Sequence, residues 1–201
     1  FCGAPFTTLS YLIEGGGSRT FEHVKGLLFR EPALFHGLME RMTDLLIPYL
    51  KEQVNAGADA LQIFDSWAGA LAPEDYREHV LPHLHRLVTE VQGAGVPVIL
   101  FARGNANLLA DVATIPADVL GIDWSIGLDA AIDVVGCDRV VQGNLDPTLL
   151  LAGRSLIEQR SRQIVKAGRR AKAHIFNLGH GISKHTDPAL AKHMIQVVQS
   201  A

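Results

Sequence analysis

Polar and small residues follow apolar runs repeatedly in this chain of 201 residues: "DSWAG" at 65–69, "ARGN" at 102–105, "DWS" at 123–125, "GNLDP" at 143–147 and "NLGHG" at 177–181. The first sets a carboxylate, a hydroxyl and an indole side by side, Asp65, Ser66 and Trp67, where the apolar "ALQIF" ends. Ser66, Tyr11 and His180 can each donate a hydrogen bond to an anion. Taken alone, Ser66 reads as a turn or helix-cap residue, and Tyr11 as a half-buried aromatic whose hydroxyl reaches solvent. His180 is less ordinary. Its flanking glycines let the backbone approach a ligand closely, and its imidazole would project from a strand end. Asp123 and Trp124 end one strand, Asn144 and Asp146 the next, and hydrogen bonds from them would shape a mouth.

Other spacings carry less. "EGGGS" (14–18) lacks the Gly-Lys-Ser/Thr ending of a phosphate-binding loop and reads as a flexible turn. His79 and His83 stand four apart, a spacing that can bind metal on a helix, but Pro82 intrudes and no nearby Glu completes a zinc-protease pattern. An exposed helix face is the expectation there. Arg154 to Lys172 holds seven basic residues with Glu158 as its only acid, the mark of a solvated helix face.

These residues need a scaffold, and the chain alternates short apolar runs with helical patterns. Strands are expected near Phe1 and at 60–64, 96–102, 119–124, 139–144 and 174–179. Most are continuously apolar, as in a parallel sheet covered on both faces. A helix starting at Pro32 and stopping at Gly57 should bury Leu38, Met42, Leu45, Leu46 and Leu50, with a kink at Pro48. A second helix should follow from Ala72 to Gly95, and shorter ones occupy 105–114, 127–135, 155–167 and 187–199. This alternation fits a doubly wound sheet or part of a (β/α)₈ barrel. Polar endings on strand after strand favour the barrel, whose strand termini meet at one mouth. No Gly-x-Gly-x-x-Gly follows the first strand to argue for the alternative.

Bulk composition excludes several classes. Hydrophobic residues make up 48% and charged residues 19%, which suits a buried core rather than disorder. A net charge of -3 gives no reason to expect nucleic acid or a membrane as partner. Two cysteines, Cys2 and Cys137, do not make a disulfide framework and fit a reducing cytosol. No apolar run reaches membrane-span length, and no signal-peptide pattern opens the sequence.

Five stretches, in order, resemble uroporphyrinogen decarboxylase: "GAPFTTLSYLIEGGGS" (3–18), "QIFDSWAGALAPEDY" (62–76), "GIDW" (121–124), "QGNLDP" (142–147) and "NLGHGI" (177–182). The resemblance implies a single-domain (β/α)₈ TIM barrel, with residues 1–201 an incomplete barrel covering strands three to eight. It implies removal of carboxylate from the four acetate side chains of uroporphyrinogen III, giving coproporphyrinogen III without metal or organic cofactor. It also implies a cytoplasmic homodimer and makes uroporphyrinogen the partner. Within it, Tyr11 is a phenol donor near the reacting acetate, Ser66 a substrate-binding hydroxyl and His180 a donor to a substrate carboxylate. Phe64 and Phe1 supply apolar wall for a flat macrocycle, while Asp65 and Trp67 pack and orient the turn. The family's arginine-rich motif and essential aspartate belong to its first two strands. We therefore expect the native product to extend upstream by two β/α units, and residues 1–201 alone to be inactive.

Two rival functions follow from the same layout. A corrinoid- or zinc-dependent methyltransferase would carry His-x-Cys where this chain reads Phe101-Ala102-Arg103, and a Cys near Gly179-His180-Gly181. A non-catalytic barrel remnant would leave two sheet edges open.

Overall fold

The computed structural model describes residues 1–201, apart from the side chain of Asn105. The chain divides into two compact units, Phe1–Asp118 and Val119–Ala201. The first holds β1 (Cys2–Gly3), α1 (Pro5–Glu14), α2 (Glu22–Arg30), α3 (Pro32–Asn55), β2 (Leu61–Asp65), α4 (Pro73–His79), α5 (Leu81–Gln92), β3 (Val98–Ala102) and α6 (Leu109–Val112). The second holds β4 (Val119–Gly121), α7 (Leu128–Val135), β5 (Val140–Leu145), α8 (Arg154–Gly168), β6 (Ala173–Leu178) and α9 (Pro188–Gln199).

Strands run parallel and in sequence order, β1-β2-β3 in the first unit and β4-β5-β6 in the second. A doubly wound sheet reverses its order at a switch point, and neither unit contains a reversal. Repeated strand–helix units that always step the same way are the wall of a barrel.

Helix α3 runs unbroken through Pro48, which is exposed. Its buried stripe is Phe35, Met39, Thr43, Leu46 and Leu50, which keeps Leu46 and Leu50 of the expected set but not Leu38, Met42 and Leu45. Leu45 is 65% exposed, because α3 packs on α1, α2 and α5 with a face rotated by about one position. Thr43 tolerates the core because its hydroxyl donates to the Met39 carbonyl at 2.8 Å. The helix expected from Ala72 to Gly95 breaks at Val80. Pro82 has no N–H and fixes its φ, so it starts α5 rather than continuing α4.

That break corrects the reading of His79 and His83 as an exposed face. His83 is 9% exposed. Its Nε2 lies 3.1 Å from Nδ1 of His36 on α3, while Nε2 of His36 lies 3.1 Å from Nδ1 of His79. Three imidazoles form one chain.

Burial on both faces holds for β5 but not for β6, whose residues alternate between exposed and partly buried. Phe176 and Leu178 pack with Leu190 and Met194 of α9 around Leu145, Leu150 and Ile157, whereas Ile175 is 43% exposed. Cys2 is buried, Cys137 is exposed and both are free thiols. No helix among the described residues is long and apolar enough to cross a membrane.

Candidate functional site

Side chains alternate across a strand, and on β2 the alternation separates two jobs. Leu61, Ile63 and Asp65 are buried, while Gln62 and Phe64 share the opposite, more open face and Ser66 follows in the turn. Asp65 is fully buried and accepts hydrogen bonds from the Thr7 hydroxyl at 2.7 Å and the Tyr76 hydroxyl at 2.9 Å. Burial pushes its carboxyl up to about 6, against the downward pull of those two donors. At neutral pH it is still mostly ionised. Tyr76 is pushed well above its ordinary value by burial and then by the charge of Asp65.

Thr7 also accepts the Trp67 backbone N–H at 3.2 Å. One carboxylate therefore ties α1, the end of β2 and α4 together, and the turn behind it is held still. Asp65 and Trp67 orient that turn, as expected.

The structure brings Tyr11 to this turn. Its ring meets Trp67 edge-on at 5.7 Å, and Tyr11 is 46% exposed. Trp67 also packs against Phe21 at 5.2 Å. Phe1 and Phe64 meet at 5.8 Å, and Phe64 continues to Phe101 at 6.1 Å, so the two expected wall residues form an aromatic row. Beside them Ser66 and Trp67 line a pocket of about 450 Å³.

Sequence reasoning missed what else lines that pocket: Arg19, Lys25 and Arg103. They come from the loop after α1, from α2 and from the end of β3, so no local window contains them. Only Arg103, in the strand-end "ARGN", carried a signal. The loop "EGGGS" is a turn anchored by the side chains at its two ends. Glu14 accepts the His23 and Val24 N–H groups at 3.0 and 2.9 Å, and Ser18 accepts the Phe21 N–H at 2.9 Å.

His180 belongs to the second unit, where it is exposed and meets Trp124 edge-on at 5.9 Å. Gly179 makes this possible, since a Cβ there would lie 2.5 Å from the Trp124 nitrogen. Asn144 donates to the carbonyls of Asp123 and Ile126 at 2.9 and 2.7 Å, fixing the loop that carries Trp124. Asp146 caps its own turn by accepting from the Thr148 N–H at 2.8 Å. These residues shape the strand ends, as the sequence suggested. Among the described residues no group of three His, Cys, Asp or Glu side chains could hold a metal ion.

Residues 1–201 match the family described as Uroporphyrinogen decarboxylase (URO-D). The chain belongs to the uroporphyrinogen decarboxylase family. The uroporphyrinogen decarboxylase of Myxococcus xanthus is 48% identical over 199 residues, covering 98% of this chain and 57% of that protein. That of Saccharopolyspora erythraea is 48% identical over 210 residues, covering 100% and 58% respectively. The chain thus spans just over half the length of these curated relatives. Among solved structures, a methyltransferase from Methanosarcina mazei superposes with a TM-score of 0.85 over 98% of this chain and 57% of that chain, at 21% identity. That likeness shows the fold alone. The fold of this uroporphyrinogen decarboxylase family member is α/β, with parallel strands forming part of a barrel.

Proposed function

We propose that the protein carrying this chain decarboxylates uroporphyrinogen III to coproporphyrinogen III, as a cytoplasmic homodimer whose residues 1–201 are part of one barrel domain. The observation that carries the reading is the cation-lined pocket at Ser66, beside an exposed phenol and an aromatic row. A flat, polyanionic macrocycle needs such a combination. Carboxylate arms require donors and positive charge at the rim, and the ring system requires apolar wall.

The chemical difficulty is the electron pair of the breaking C–C bond. Protonating a pyrrole carbon makes a cationic sink. Carbon dioxide then leaves, the pair quenches the cation as an exocyclic double bond, and a proton added to that methylene with loss of the ring-carbon proton gives the methyl group and restores the pyrrole. A carboxylate under the pyrrole nitrogens would stabilise that positive charge. Asp65 is not that group, since it is fully buried beneath Thr7 and Tyr76. This chemistry uses no metal or organic cofactor. Tyr11 is the catalytic residue we assign, donating to the reacting acetate. Ser66 and His180 bind substrate carboxylates, and Phe64 and Phe1 face the macrocycle.

In the full-length protein, Tyr11→Phe should bind uroporphyrinogen normally and turn it over more slowly. His180→Asn should release partly decarboxylated products, separable by chromatography. Parent-like kinetics in the first or a parent-like product profile in the second would remove that residue from the mechanism.

A further inference from the structure

We propose that Arg103 holds a carboxylate arm of the substrate in the Ser66 pocket, as a binding residue distinct from Tyr11, Ser66 and His180; this rests on the function proposed above. The lining of the pocket is the starting point. Arg19, Lys25 and Arg103 line it and no acid is among its described lining residues, so the lining as a whole favours an anion.

The three cations are not equivalent. Lys25 donates from Nζ to the Ala70 carbonyl at 2.8 Å, which fastens α2 to the turn after β2. Arg19 sits on the exposed loop beyond α1. The Arg103 backbone is held on both sides. Its N–H donates to the Asp65 carbonyl at 3.0 Å, and its carbonyl accepts the Gly69 N–H at 3.1 Å. A Cβ on Gly69 would stand 3.1 Å from the Gly104 Cα and 3.2 Å from the Arg103 carbonyl oxygen, so glycine is what allows the two turns to touch. The guanidinium carbon lies 5.9 Å from the centre of the Trp67 ring.

A guanidinium held this way loses little freedom when it binds, and its planar donors match the two oxygens of a carboxylate. The Ser66 hydroxyl on the same wall supplies a further donor. The pocket thus fits one carboxylate-bearing arm, with the macrocycle remaining outside against the aromatic row. Binding of this kind is made before and during reaction alike, so it governs KM rather than kcat.

The test uses full-length protein and two readouts. Steady-state decarboxylation of uroporphyrinogen should show KM raised about tenfold or more in Arg103→Gln, with kcat within about twofold, and an intermediate KM in Arg103→Lys. Calorimetric titration with benzene-1,2,4,5-tetracarboxylate at constant ionic strength should show about tenfold weaker binding in Arg103→Gln. Thermal unfolding identifies a misfolded variant, in which case Arg103→Lys decides by its KM. An unchanged KM overturns the proposal, as does a fall confined to kcat. Should the parent bind the tetracarboxylate through Arg103 yet leave uroporphyrinogen intact, the carboxylate site stands and the function proposed above is wrong. Should neither parent turnover nor Arg103-dependent binding be found, both fall.

Discussion

Tyr76→Phe removes one oxygen from a closed, fully buried cluster and nothing else. The phenol donates to Asp65 at 2.9 Å, and the Thr7 hydroxyl is the other side-chain donor, at 2.7 Å. A hydrogen bond to a charged group is worth about 1.5–3 kcal/mol, and one to a neutral group about 1 kcal/mol. Asp65 has its pKa pushed up to about 6, chiefly by burial. Near pH 8 it is ionised, and the variant should lose about 2 kcal/mol of stability; near pH 5 it is mostly protonated, and the loss should be about 1 kcal/mol. The sign follows from linkage. A folded pKa above the unfolded one gives stability that is present at low pH and is lost as pH rises through the folded value. Removing the phenol takes away one of the donors that lower the folded value, so that value rises further and the loss becomes deeper. Urea unfolding at the two pH values, with unchanged m, measures both penalties. A penalty that does not vary with pH would refute an ionised Asp65 as the acceptor.

Gly179→Ala should cost about 1–3 kcal/mol, because its Cβ would meet the Trp124 nitrogen at 2.5 Å and that backbone must move. Thermal unfolding and tryptophan fluorescence would both shift; if neither does, the close approach is not real. His83 and His174 are both held below the ordinary 6.5, in each case first by burial; the His36 charge lowers His83 further, Glu40 opposes that, and the Gly143 carbonyl opposes the shift of His174. Their unfolded forms take protons first as pH falls, so stability complete above 6.5 declines below it, until the lower folded values are reached. His83→Asn should flatten that decline in urea midpoints, and an unchanged slope would exclude His83 as a contributor.

Strand order and strand ends were legible because short apolar runs recur between helical patterns, and "DSWAG" and "NLGHG" mark where two of those runs end. The buried stripe of α3 was not, since Leu45 and Leu46 are equally apolar and only packing against three other helices decides which turns inward. Helix α1 was not among the expected elements, although Pro5 opens it and Gly15 closes it with φ at 74°. Ser66 and Tyr11 were identified through family resemblance, not through their residue types. Arg19, Lys25 and Arg103 come together from three separate segments, and such a convergence leaves no spacing to find.

The imidazole chain of His36, His79 and His83 carries its own restriction. A neutral ring has one hydrogen to give, and both nitrogens of His36 face a neighbour. If its hydrogen sits on Nε2 it donates to His79 and must receive from His83; if it sits on Nδ1, both directions reverse. The row therefore has two opposite proton orderings, and no single ring can switch tautomer without carrying the other two with it.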